Sequence, residues 1–197
     1  MTPQAERVLD LFKKTGAYLQ GHFRLTSGLH SSGYLQSALV LQYPKHAEQL
    51  GRRLAEELFP LTKQSRIGSV VSPALGGLIV GHEVARAMGV RFLFTERDAE
   101  RKMSLRRGFT IGPGEKVVVI EDVITTGGST KEVIEVVGAL GGEAVAAGSI
   151  IDRSGGAVDL GIPRVALETL NVPVWEPGKC PLCAKGEPVT KPGSRPV

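Results

Sequence analysis

The segment KVVVIEDVITTGGSTKEV, residues 116–133, places two adjacent acids and then a run of small residues directly after four apolar ones. Glu121 and Asp122 can accept hydrogen bonds from hydroxyl groups or face a cation. Thr125, Thr126, Gly127, Gly128 and Ser129 carry no bulky side chain, so their backbone N–H groups can close around an anion. Ser129 and Glu132 have the spacing of a capping box, which predicts a helix N-terminus aimed at the same loop. Carboxylates repel a phosphate, so something must lie between the two. A sugar diol or a divalent metal would serve.

The elements around this segment follow from its pattern. Val117 to Ile120 is a continuous apolar, mostly β-branched run, as expected of a strand covered on both faces in a parallel sheet. The acids then fall at its carboxyl end, where open α/β sheets bind ligands. The loop lacks the lysine spacing of a P-loop, and no GxGxxG follows a strand, so the common nucleotide motifs are excluded. It is similar to the small Thr/Gly phosphate loop of flavodoxins, but there the loop follows the first strand without an acid pair.

Elsewhere the chain alternates. Residues 3–14 read as a short amphipathic helix with Val8, Leu11 and Phe12 on one face. Residues 16–33 are Gly- and Ser-rich with a strand-like HFRL inside, and residues 34–42 read as a further strand. Pro44 opens a helix on which Leu50, Leu54 and Leu58 recur, with Pro60 expected past its end. Residues 67–71 form a strand, SPALGG (72–77) its loop, and 78–88 a helix stopped by Gly89. A strand at 91–94 leads into a long polar connection, 95–115. A helix at 130–140 and strands at 143–151 and 165–170 complete the pattern. Strands alternating with helices imply an α/β fold with a mostly parallel central sheet flanked by helices. One domain over residues 1–197 is expected, with residues 1–43 and the proline-rich 171–197 tail contributing a small hood and periphery.

Composition sets limits. The 197 residues are 42% hydrophobic and 22% charged, ordinary for a globular domain. No apolar stretch is long enough for a membrane span. The charged, amphipathic start MTPQAERVLDLFKK does not read as a secretory signal, so a cytoplasmic location is expected. The net charge of +4 permits nucleic-acid binding, but a polyphosphate ligand would use the same bases. Cys180 and Cys183, in CPLC, are the only cysteines. They read as a proline-bearing turn holding the tail, with a metal clip completed by another chain, or a redox switch, as the alternative. No second CxxC follows, and His22, His30, His46 and His82 show no ligand spacing. His30 alone is a weak candidate for substrate contact.

The run VVIEDVITTGGS resembles the phosphoribosyl diphosphate signature of the type I phosphoribosyltransferases. The resemblance implies that Glu121 and Asp122 hold the ribose hydroxyls, that Thr125, Thr126, Gly127, Gly128 and Ser129 wrap the 5′-phosphate, and that Val123 and Ile124 also belong to the phosphoribosyl diphosphate site. SPALGG then matches the diphosphate loop, with Gly76 where many similar chains have Lys. The basic segment 95–108 matches the family's catalytic loop, which implies roles for Arg97 and Lys102 at the diphosphate and, through loop exchange, a homodimer. Asp122 is the third candidate catalytic residue.

Within that family, HFRLTSGLHSSGYLQ (22–36) resembles the base-covering motif of the orotate phosphoribosyltransferases. Ser27, Gly28, Ser31 and Tyr34 match, while Thr26 stands where one branch has Lys. Arg153, just past the strand that ends near Ile151, matches an arginine that pairs with the orotate carboxylate, with Thr125 alongside. A guanidinium suits that task because it meets a carboxylate as a planar fork. The resemblance implies transfer of ribose 5-phosphate from phosphoribosyl diphosphate to orotate. Mg²⁺ would be the cofactor, bound through substrate oxygens and not directly by side chains. Small molecules, not nucleic acid or membrane, would be the partners. A purine-type transferase, a phosphoribosyl diphosphate-sensing regulator and a flavin carrier are the rivals.

Overall fold

The computed structural model describes residues 7–25 and 27–192. Thr26 and the first part of the helix expected at 3–14 lie outside them, as do residues 193–197. In chain order, α1 (Val8–Lys14) is followed by the hairpin β1 (Tyr18–Arg24) and β2 (His30–Leu35), then α2 (Ser37–Leu41) and α3 (Pro44–Thr62). The alternating part comprises β3 (Ile67–Pro73), α4 (Gly77–Met88), β4 (Arg91–Arg97), β5 (Met103–Leu105), β6 (Lys116–Ile124), α5 (Gly128–Ala139), β7 (Glu143–Asp152) and β8 (Arg164–Thr169). A short β9 (Val174–Trp175) and a one-turn helix α6 (Pro181–Ala184) end it.

Six strands form the central sheet in the order β5-β4-β3-β6-β7-β8. All neighbours are parallel except the β4–β5 hairpin. The apolar run of β6 explains why it lies inside. Val118 and Ile120 face one layer with Leu50, Leu54, Leu58, Val80 and Val84, and Val117 and Val119 face the other with Val133 and Val137. Alternate residues of one strand thus enter two separate cores, and both faces must be apolar. The chain leaves β3 for β4 on one side, then returns to place β6 on the other. That reversal opens a crevice beyond the carboxyl ends of β3 and β6.

Four local expectations are corrected. Residues 34–42 are not one strand: β2 stops at Leu35 and Ser37–Leu41 is helical. A short apolar run has no period that separates the two states, and burial of Ser37, Val40 and Leu41 on one helical face decides it. Pro60 lies inside α3. It sits in the last turn on an exposed stretch, where water can satisfy the carbonyl its missing N–H leaves free. The connection 95–115 is partly a hairpin, since β4 runs on to Arg97 and pairs with β5. Lastly, β8 is followed by β9, which joins β1 and β2 in a separate antiparallel sheet, order β1-β2-β9. This sheet is the hood, and the tail therefore helps to build it.

The two helices on the hood-side face pack closely at a glycine. A Cβ on Gly51 of α3 would lie 2.4 Å from the Glu83 Cβ and 2.8 Å from the Glu83 carbonyl carbon of α4. Backbone cannot give way as a flexible side chain does. Gly51→Ala should therefore destabilise the chain by about 1–3 kcal/mol, despite the better helix propensity of alanine. A urea titration showing an unchanged or raised midpoint would contradict this packing.

Candidate active site

Every strand residue from Glu121 to Ile124 lies beyond the last β3–β6 pair, Val71–Val119, yet β6 stays paired to β7 as far as Ile124–Asp152. One edge of β6 therefore borders the crevice while the other remains anchored. The resulting cleft, of about 1200 Å³, is lined by Glu121, Asp122, the 123–130 loop, the Ala74–Gly76 turn and Arg153. From the hood come Ser27, Gly28 and Tyr34, and from the β4–β5 hairpin Arg97 and Arg101. The residues singled out from the acid pair, the small-residue loop and the hood motif thus meet in one place.

Glu121 is 8% exposed and has Asp122 beside it. Burial first, and then the neighbouring Asp122 carboxylate, push its carboxyl well above the usual range. Its Oε1 accepts the Asp122 backbone N–H at 3.2 Å. Asp122 is half-buried. Gly76 packs against it so closely that a Cβ there would stand 2.6 Å from Asp122 Oδ1. In the free chain, then, the carboxylate fills the space a residue-76 side chain would need. The Ala74–Leu75 peptide in the same turn is cis.

The anion loop differs from its sequence reading in one respect. Gly127, in the left-handed region at φ 75°, is the N-cap of α5, with no side-chain cap bond. The Ser129–Glu132 capping box is therefore not formed. Ser129 lies within the first turn, and Glu132 is drawn away to Arg97, with Nη2–Oε2 at 2.5 Å. Gly127 is required twice over, by its φ and because a Cβ would meet Val158 Cγ1 at 2.6 Å. The helix start still points its free N–H groups at the cleft.

Arg153 follows β7 and is held from both sides. Its backbone N–H donates to Ile124 O at 2.8 Å. Its Nη2 donates to Ser31 Oγ at 3.0 Å and to the Gly33 carbonyl at 3.2 Å. The guanidinium is 7% exposed, no carboxylate pairs with it among the described residues, and its Nε has no partner. Burial lowers its pKa from the ordinary arginine value, with the Tyr18 and Tyr34 phenols opposing. Tyr34 shifts the other way, raised by burial and then by Asp122, with Arg153 opposing. The preceding Asp152 is a brace: it accepts from the Ser154 N–H and hydroxyl at 2.7 and 2.6 Å and from Arg164 at 2.7 Å. Burial alone would raise its carboxyl, and these bonds outweigh that to hold it below the usual range.

In the hairpin, Arg97 reaches the cleft but is engaged with Glu132 and with the Arg101 carbonyl, 2.8 Å away. Lys102 is exposed and does not line the cleft of its own chain. Arg101, which sequence reasoning passed over, does line it. Arg24 and Lys191 were missed as well, because no local pattern announces that a strand end and a distant tail converge there.

A phosphoribosyl transferase domain model matches residues 41–176. The chain is 53% identical over 192 residues to an orotate phosphoribosyltransferase of Desulforamulus reducens, with 98% of each covered. The chain belongs to the orotate phosphoribosyltransferase family. A counterpart from Pelotomaculum thermopropionicum shows the same identity and coverage. The crystal structure of orotate phosphoribosyltransferase from Aeropyrum pernix superposes with a TM-score of 0.67 at 27% identity, over 83% of this chain and 93% of that one. The fold is accordingly that of the type I phosphoribosyltransferases, as the acid–loop signature implied.

The raised Glu121 carboxyl sets a pH dependence. Its folded form binds protons more tightly than its unfolded form, so stability is greatest on the acid side of the ordinary carboxylate pKa. That stability falls as pH rises toward the folded value. Glu121→Gln removes this loss. The variant's melting temperature, relative to the parent, should therefore be higher at pH 8 than at pH 5 in the absence of ligand. Thermal melts showing the same difference at both pH values would contradict a strained, desolvated Glu121.

Proposed function

We propose that this chain transfers ribose 5-phosphate from phosphoribosyl diphosphate to orotate, giving orotidine 5′-monophosphate and diphosphate. The observation that carries the reading is Arg153, a buried guanidinium without a carboxylate partner among the described residues, in the same cleft as the acid pair and the anion loop. A base bearing a carboxylate completes it. The relatives that match nearly the whole chain bear the same activity in their names.

In this reading the loop 125–129 holds the 5′-phosphate and Glu121 and Asp122 accept from the ribose hydroxyls, which lie between acids and phosphate. Ser27, Gly28 and Tyr34 cover the base, while Thr125 and Arg153 orient it. Orotate N1 bonds to C1′ as the C1′–O bond to diphosphate breaks, and the N1 proton passes to the departing diphosphate. Bond breaking runs ahead, because the ring oxygen shares the positive charge. The chain's contribution is alignment of the two reactants and neutralisation of charge growing on the leaving group. Arg97 is a candidate for the second task once it leaves Glu132, as is Lys102.

Magnesium fits as a partner of substrate oxygens. Of the carboxyls that line the cleft, Glu132 is paired with Arg97 and Glu121 is buried with its ionised form disfavoured, so the described residues do not offer the several oxygen ligands of a protein cage. Bound with phosphoribosyl diphosphate, the ion would offset diphosphate charge and ease the desolvation of Glu121. The reading includes a cytoplasmic homodimer acting through one phosphoribosyltransferase domain. The exposed Lys102, outside its own cleft, would serve the neighbouring subunit. No helix among the described residues is long and apolar enough to cross a membrane.

The test is an ultraviolet assay of orotate with phosphoribosyl diphosphate, beside adenine, hypoxanthine and uracil, with and without magnesium. Magnesium-dependent loss of orotate alone is expected; turnover of another base, or of none, would overturn the proposal. Arg153→Ala should lower kcat/KM for orotate by about 10- to 150-fold, the equivalent of one charged hydrogen-bonding contact of roughly 1.5–3 kcal/mol, chiefly through KM. Asp122→Asn should act chiefly on kcat. Unchanged orotate kinetics in Arg153→Ala would remove the carboxylate contact.

A further inference from the structure

Cys180 and Cys183 lie in a proline-bearing turn of the tail, as expected, but they are not alone there. Together with His22 and His30 they bring one ligand atom each to within 4.8 Å of one another. The four residues come from β1, β2 and the start of α6, which the chain separates by about 150 residues, so no local spacing could reveal them. His30, considered above as a weak substrate contact, lies at the edge of the cleft but directs Nδ1 at this cluster.

We infer that His22, His30, Cys180 and Cys183 form a structural zinc site that staples the tail to the hood. Two imidazole nitrogens and two thiolates are the donor set of a closed tetrahedral site, and this set leaves no open position for catalysis. With Zn–S near 2.3 Å and Zn–N near 2.0–2.1 Å, the edges of such a tetrahedron are about 3.3–3.8 Å. The structure has Cys183 Sγ–His30 Nδ1 at 3.3 Å, Cys180 Sγ–His22 Nε2 at 3.5 Å and Cys183 Sγ–His22 Nε2 at 3.7 Å. Of these four edges His22 Nε2–His30 Nδ1, at 2.8 Å, is the short one, and an ion between the two would spread it by about half an ångström.

The second observation is the far side of His22. Its Nδ1 lies 2.8 Å from the Glu187 carbonyl. A carbonyl only accepts, so Nδ1 carries the hydrogen and Nε2 presents a lone pair to the cluster. That carbonyl bond is the outer contact which orients metal-binding histidines elsewhere. Both cysteines are free, and Cys180 is 3% and both histidines 5% exposed, while Cys183 is exposed and offers the ion a way in.

The hood needs such a staple. Its strands β1 and β2 are of ordinary length, but β9 has two residues, and from the three strands only Leu35 and Tyr18 join the main core. Small sheets of this kind are marginal without a further cross-link. Beyond β9 the tail is also held by Thr190, whose N–H donates to His22 O and whose carbonyl accepts from the Arg24 N–H, both at 2.8 Å. Zinc would join the same two segments from the other side and fix the β1–β2 turn that brings Ser27 and Gly28 to the cleft. The inference does not depend on which base the cleft accepts.

The test uses the full chain, purified under reducing conditions without a metal-affinity step. Elemental analysis should find about one zinc per chain, falling below about one tenth in Cys180→Ser/Cys183→Ser. Cobalt added to the chelated, folded chain should give the strong visible bands of tetrahedral cobalt with a thiolate charge-transfer band. Cys183→Ser alone, at the exposed position, should weaken that band without unfolding the chain. Proteolysis between residues 176 and 192 should accelerate after chelation, with magnesium restored. A folded chain that holds no stoichiometric zinc and stays colourless with cobalt would overturn the site, as would a Cys180–Cys183 disulfide in the protein as isolated. Zinc present with tail cleavage unchanged by its removal would overturn the stapling.

Discussion

Two carboxyl groups and the free N–H groups of a helix start occupy successive positions on one strand–loop–helix unit, and in the proposed function the repulsion between those carboxyls and a bound phosphate governs the site. The sheet makes the arrangement possible. β6 is buried on both faces and paired to β7 beyond the point where β3 turns away, so Glu121 and Asp122 are held rigidly at a free edge. The free chain shows the resulting tension: Glu121 is buried next to another acid and its ionised form is disfavoured. A ligand that offers hydroxyl donors between the acids and the phosphate, with a cation to offset charge, relieves it. Sites that are unfavourable when empty are pre-organised for a particular kind of occupant.

The Arg153 side of the cleft rests on a second electrostatic arrangement. Arg153 is desolvated, fixed by Ser31, Gly33 and the strand end, and left with an unpartnered Nε. Asp152, the acid next to it in the chain, is kept from pairing with it by Ser154 and Arg164. The chain thus spends its nearby acid on bracing the loop and leaves the guanidinium for a ligand. Because Ser31 and Gly33 belong to the hood, the position of Arg153 depends on the hood's integrity, which the tail helps to maintain.

How much of this could be read from the sequence depended on the range of the interaction. The apolar run of β6, the acid pair and the small-residue loop are local, and they pointed to the parallel sheet and to residues that line one cleft. Leu50, Leu54 and Leu58 likewise reported their buried face through period alone. The failures share a cause. The Ser129–Glu132 spacing suggested a cap, but Arg97 from another strand competes for Glu132. The 34–42 run was too short for its period to separate strand from helix. The grouping of His22 and His30 with Cys180 and Cys183 depends on tertiary convergence of a hairpin and a tail, which no spacing rule registers. The role of Gly76 is visible only as an absence of room beside Asp122.

The most direct test of the account is a crystal structure with orotidine 5′-monophosphate bound. The account predicts the 5′-phosphate on the backbone N–H groups of residues 125–129, the ribose hydroxyls on Glu121 and Asp122, and the base carboxylate on the Arg153 guanidinium under Tyr34. A nucleotide whose phosphate lies outside that loop, or whose carboxylate faces solvent while Arg153 keeps only its Ser31 and Gly33 contacts, would contradict it.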